Sequence, residues 1–170
     1  MPNWCQNKAT IRFKSSKHAK EFILACREVR GGKIVPGTLL DETQPMNLFQ
    51  YYRPAPEPCQ DWYSWRVTNW GTKWSPTIVE IQYVSDDTVT IDFETAWGPA
   101  LAFFEYCNAI HGWCWEMHYI ELGMAFAGDC AADKSGVLYH EEYGEGSEGF
   151  IAVAEAMGIN LDSYYDENDS

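Results

Sequence analysis

Positive charge all but disappears from this sequence after position 115. Residues 116–170 carry 13 acids and one base, Lys134, whereas residues 1–115 carry 12 acids and 11 bases, so nearly all of the net charge of −13 sits on the last part. A chain this poor in clustered cations is not built to neutralise phosphates, and direct nucleic-acid binding is not expected. Its one basic cluster (Lys14, Lys17, Lys20, Arg27, Arg30, Lys33) is broken by Glu21 and Glu28 at helical spacing and reads as a solvated helix face. Long apolar runs are missing as well: none approaches the roughly 20 residues of a membrane span. "MPNWCQNK" lacks the basic-then-apolar order of a signal peptide. The expected location is the cytoplasm, with no membrane partner and with the six cysteines as reduced thiols. No phosphate loop, hydrolase elbow or dinucleotide fingerprint occurs, so no cofactor and no catalytic residue is assigned.

What the chain does have is a core. At 46% hydrophobic and 15% aromatic it is the composition of a folded domain. "NKATIRF" (7–13) alternates like a half-buried strand, and "SKHAKEFILACREVRGG" places Ala19, Phe22, Ile23, Cys26 and Val29 at helical spacing. Residues 33–60 show no period and hold five prolines. "TIVEIQYV" (77–84) and "TVTIDFETAW" (88–97) alternate about a tight "SDD" and form a hairpin. A helix over 98–112 stops at Gly112, and "WCWEMHYIEL" (113–122) alternates again. This order predicts an α+β protein. Residues 1–124 would form a ferredoxin-like, antiparallel four-stranded sheet backed by two helices, with a long Trp/Pro-rich insertion at 33–76. Residues 125–170 would add an acidic extension packed on the same unit: a hairpin around "CAADKSG", a helix over 147–157, and a frayed end at 162–170.

Half of the eight tryptophans fall in "DWYSWRVTNWGTKW" (61–74). Its turn formers Asn69, Gly71 and Thr72 suggest that "TNWGTKW" is a loop. Three readings stay open. The rings could staple the insertion to the sheet, since each aromatic buries about 150–250 Å². Trp62, Tyr63, Trp65, Arg66, Asn69, Trp70, Lys73 and Trp74 could form a partner-binding surface, because Trp, Tyr and Arg dominate interface hot spots. Arg66 or Lys73 beside stacked rings could instead hold a nucleotide-like ligand. The acidic extension offers Glu141, Glu142, Glu145 and Glu148 as a surface for a basic partner, against the plain reading of a solubilising flank.

Three chemical constellations come out weaker. Cys107, His111, Cys114 and His118 have zinc-like ligand types and would share a face of one continuous helix. Gly112 and the alternating run after it argue for a helix end and a strand. There, positions 114 and 118 lie roughly 13 Å apart at about 3.3 Å per residue. No metal is therefore expected. Cys5 as a nucleophile needs a neighbouring base that the sequence does not suggest. Asp92 and Glu94 share a strand face that should be solvent-exposed.

Together, "MPNWCQN", "WYSWRVTNWGTKW", "TAWGPA" and "YIELGMAFAG" resemble the YubB-like family of uncharacterised phage- and plasmid-borne proteins with a ferredoxin-like domain. The likeness covers residues 1 to about 130 and implies a ferredoxin-like fold and a home on mobile genetic elements. It implies no reaction. The expectation is a non-enzymatic accessory protein that binds a host or anti-phage defence protein with a basic surface, a possible defence inhibitor. The alternative is a protein that binds or modifies a nucleotide-like small molecule.

Overall fold

Alternation and helical spacing become twelve elements in the computed structural model, which describes residues 3–26 and 48–168, with side chains to residue 165. Arg27, Arg30 and Lys33 of the basic cluster, and positions 33–47 of the insertion, lie outside the described residues. The elements are β1 (Trp4–Arg12), α1 (Ser16–Cys26), α2 (Leu48–Tyr52), α3 (Trp62–Trp70), β2 (Thr77–Ser85), β3 (Thr88–Ala96), α4 (Leu101–His111), β4 (Cys114–Glu121), β5 (Phe126–Asp133), β6 (Gly136–Gly144), α5 (Glu148–Ala156) and α6 (Leu161–Asn168).

The sheet corrects the sequence expectation. It has six strands in the order β2-β3-β1-β4-β5-β6, every neighbouring pair antiparallel, and six helices among the described residues. The four-stranded ferredoxin-like sheet with two helices does not describe it. The hairpin expected after residue 124 is not an appendage but the continuation of the sheet. A strand edge left by β4 would expose a row of unpaired backbone groups, and β5 pairs with it from Trp115↔Ala132 to Glu121↔Phe126. The Glu121 carboxylate closes the connecting turn by accepting the Gly123 and Met124 N–H groups at 2.8 and 2.6 Å.

Period-two alternation puts Cys5, Ala9 and Ile11, Val89, Ile91 and Phe93, and Trp115, Met117 and Tyr119 on one sheet face, all buried. There they meet Phe22 of α1, Phe49 of α2, Trp70 of α3, and Phe103, Phe104 and Cys107 of α4 in one core. The opposite face is covered at β4–β5 by α5, whose Phe150, Val153 and Ala154 pack with Ile120 and Ala127. Ser147 caps α5, its Oγ accepting the Phe150 N–H at 3.2 Å, and the chain leaves the helix through Gly158 at φ +72°.

A second loop assignment also changes. Residues 68–70 belong to α3, not to a loop. Asp61 caps the start by accepting the Ser64 N–H at 3.1 Å, the Asn69 side chain donates back to the Trp65 carbonyl at 2.8 Å, and the turn begins only at Gly71, φ +85°. Only glycine suits that position, because a Cβ would lie 3.0 Å from the Pro99 carbonyl oxygen.

Gly128 serves packing across strands. It faces Tyr119 in the β4–β5 register, and the phenol crosses it so that its hydroxyl reaches His140 Nε2 at 2.7 Å on β6. A Cβ at Gly128 would overlap the Tyr119 ring. Gly128→Ala should therefore lower stability by about 1–3 kcal/mol in urea unfolding. Gly144→Ala, whose Cβ would meet nothing, should stay within about 0.5 kcal/mol.

Candidate functional site

The tryptophan-rich block divides into an inward and an outward part. Trp70 is fully buried; its indole N–H donates to the Arg53 carbonyl at 2.9 Å, and its ring lies 5.6 Å from Phe49. Trp65 packs half-buried at the core edge, 5.7 Å from Trp70. Asn69 is held by the Arg53 guanidinium, which donates to its carbonyl and to its Oδ1, both at 2.6 Å, and to the Ala102 carbonyl at 3.1 Å. Arg53 lies in the insertion and ties α3 to α4; nothing local in the sequence marks it. Arg66 sits 5.0 Å from the ring centroids of both Trp62 and Trp70, with its Nε buried and without a hydrogen-bond partner. Trp62 and Tyr63 are exposed at the start of α3.

The outward part lies where β1 begins and β3 ends. The Lys73 ammonium is 4.1 Å from the Trp74 ring and 4.2 Å from the Trp97 ring, and Trp74 is 6.1 Å from Trp4. Trp4, Trp74 and Trp97 are 41%, 37% and 54% exposed, a density of open indole that water does not favour. Trp97 was missed as a site residue because its motif is distant in sequence and only the Trp4↔Ala96 register brings it alongside.

Beneath the rings the backbone is tightly held. The buried Asn7 amide donates to the Cys5 carbonyl at 2.9 Å, the Phe93 carbonyl at 3.3 Å and Thr95 Oγ1 at 2.9 Å; the Thr95 hydroxyl in turn donates to the Gly98 carbonyl at 2.7 Å. Thr72 donates to the Ala96 carbonyl at 3.1 Å, and the Trp97 N–H to the Asn3 carbonyl at 2.9 Å. These bonds hold Trp97 at φ +70°, a left-handed conformation that costs a side-chain-bearing residue roughly 1–2 kcal/mol. Such strain persists only where its surroundings enforce it, and it marks positions worth a functional hypothesis.

The acids do not converge. Glu141 and Glu142 are successive strand residues and point to opposite sheet faces. Glu142 lies 3.4 Å from the Tyr119 hydroxyl on the face of the main core. Glu141 ends a row across the other face, which the register orders as Glu80, Asp92, Lys8, His118, Asp129 and Glu141. Glu145 accepts the Tyr165 hydroxyl at 2.7 Å, and Glu148 stands in the first turn of α5. Cys107 faces the core from α4 while His118 lies on the far sheet face, and among the described residues no group of three or more His, Cys, Asp or Glu is arranged to hold a metal ion. The Cys5 thiol is pushed up by burial and then by the Glu121 carboxylate, the reverse of what a nucleophile needs.

A mixed α+β protein with a six-stranded antiparallel sheet and a tryptophan–lysine cap is what fold and site define. No family model and no curated protein matches the chain. Among solved structures it is similar to the crystal structure of protein api92 from Yersinia pseudotuberculosis, described with the family model DUF1281. The TM-score is 0.57 at 10% sequence identity, over 86% of this chain and 100% of that one. At that identity the likeness shows the fold alone. No described helix is long and apolar enough to cross a membrane.

Two predictions arise. Trp97→Gly and Trp97→Ala both remove the ring, but only glycine relieves the backbone, so the glycine variant should be the more stable by about 1 kcal/mol in urea unfolding. Equal stabilities would mean that position 97 is free to relax. Burial pushes up the thiols of Cys5, Cys26, Cys107 and Cys130, the last to about 12, while Cys59 and Cys114 are half-buried. Thiol titration of the native protein should therefore label Cys59 and Cys114 first, and the four buried cysteines only on unfolding.

Proposed function

We propose that this chain is a non-enzymatic binding protein whose Trp4–Lys73–Trp74–Trp97 cap docks on a partner protein. The observation that carries the reading is the convergence of three open indoles and one cation on a hydrogen-bonded base. Rigid aromatic anchors around a cation resemble the centre of an interface hot spot, where little ordering entropy remains to be lost. The partner is a host or defence-system protein inside a bacterial cell, and the chain is an accessory protein of a phage or plasmid. That setting rests on the likeness of its motifs to the YubB-like proteins.

The small-ligand reading has less support. Lys73 lies against the rings of both Trp74 and Trp97, and Arg66 against those of Trp62 and Trp70. A base stacking between either pair of rings, with the cation turned to its phosphate, would first have to break those contacts, each worth about 0.5–2 kcal/mol.

Affinity capture from the native bacterial host tests the proposal. The protein recovered with the wild-type chain should be lost with the Trp74→Ala, Trp97→Ala double variant and kept with Glu141→Lys, Glu142→Lys. Recovery unchanged by the double tryptophan variant would remove the cap from the interface.

A further inference from the structure

Helices α5 and α6 enclose a cleft of about 440 Å³ on the sheet face that the other four described helices leave open. Its floor and walls are Phe150, Ile151, Ala154, Ile159 and Leu161, with Tyr165 at the side. Its rim carries Glu155 and Asp162. In α5, Phe150, Val153 and Ala154 face the sheet, yet Ile151, which the core does not use, is 42% exposed. The Tyr165 hydroxyl donates to the Glu145 carboxylate at 2.7 Å.

Among the described residues no Lys or Arg lines this cleft. Lys134 is the single base after position 115, and the one ion pair among the described residues is Lys8 with Asp92, far along the sheet. An apolar floor bordered by carboxylates that pair with no Lys or Arg among the described residues fits an occupant that is apolar at its centre and positive at its edges. A second copy of this chain, at net charge −13, is repelled. We propose that the α5–α6 cleft is a docking site for a basic amphipathic segment of a partner protein. One bulky apolar side chain sits on Ile151, Ile159 and Leu161, and flanking Lys or Arg residues meet Glu155 and Asp162. The volume lies within the roughly 300–1,000 Å³ of small-molecule pockets, so it has room for a bulky apolar side chain. The mode is helix-in-groove recognition, in which apolar anchors recur at helical spacing and charge selects the partner. This site is separate from the tryptophan cap and does not depend on it.

The test uses the full chain and a fluorescein-labelled designed peptide of roughly 15 residues, long enough to form a helix on binding, with Leu at i, i+4 and i+7 and Lys on the remaining face. Fluorescence anisotropy should show binding that weakens as salt rises from about 50 to about 300 mM. Glu155→Lys with Asp162→Lys should weaken it at least about tenfold, and Ile151→Ser about fivefold through lost apolar contact. A peptide with its leucines replaced by serine should not bind. Trp74→Ala with Trp97→Ala should leave peptide binding unchanged, so failure here is distinct from failure of the cap. Three outcomes overturn the proposal: no binding by the wild-type chain, equal binding of the leucine-free peptide (which reduces the effect to charge attraction), or undiminished binding by the double charge reversal. Glu155 and Asp162 are exposed, so if Ile151→Ser fails to fold by circular dichroism, the charge reversal still decides.

Discussion

One buried amide holds the end of the sheet on which the tryptophan cap stands. Asn7 is 2% exposed, on the core face of a central strand, where an unpaired polar group costs about 1–3 kcal/mol. Its Nδ2 reaches a carbonyl of β1, a carbonyl of β3 and the Thr95 hydroxyl, which passes the bond on to Gly98. A shift of β1 by one residue against β3 would leave these donors and acceptors unpaired in the core as well as turning every apolar side chain outward. The same register brings Trp4 opposite Ala96 and the Asn3 carbonyl to the Trp97 N–H. The position of the open indoles thus follows from the pairing of the central strands.

The sequence motifs acquire a shared physical meaning at this end of the molecule. "MPNWCQN" supplies Asn3, Trp4 and Asn7, "TAWGPA" supplies Thr95, Trp97 and Gly98, and "YIELG" supplies Glu121, whose buried carboxylate closes the β4–β5 turn. "NWGTKW" brings Gly71 against Pro99, Thr72 against Ala96, and Lys73 between two rings. Four segments widely separated in sequence converge on one patch, and most of their polar residues satisfy backbone groups there. Chemistry-bearing types such as Cys5 and Glu121 are occupied with folding, while the indoles that cap them face solvent.

Strands were legible because a half-buried strand must alternate, and the four runs at 7–13, 77–84, 88–97 and 113–122 each became one. Sheet size was not legible from alternation alone, which says nothing about which edges pair. "FAGDCAAD" is built of small residues because β5 lies under Tyr119 on one face and under α5 on the other, a pattern that only the assembled layers explain. The end of α3 was misplaced because Asn69, Gly71 and Thr72 look like turn formers, yet Asn69 is recruited by Arg53 and by the helix itself. Glu141 and Glu142 were grouped by proximity in sequence, although period two sends neighbours on a strand to opposite faces. The tryptophan cap required register, and the Arg53 clamp required the insertion to fold back. Both are long-range facts.

Charge segregation along the sequence also becomes segregation in space, but by element rather than as one acidic wall. β6 is an edge strand, and alternating carboxylates on its two faces discourage further strands from adding to it. β2, the opposite edge, carries Glu80 as its one charge but is interrupted by register shifts near Val79 and Val84, which serve the same end by bending the edge. Part of the acidic load therefore keeps the sheet at six strands. Other carboxylates stand on helices, where no edge needs guarding: Glu155 and Asp162 border an apolar cleft that no Lys or Arg among the described residues lines. Desolvating unpaired carboxylates beside an apolar surface is unfavourable unless a cation arrives with the apolar group. That coupling makes a basic amphipathic segment a better occupant than an apolar or an anionic one.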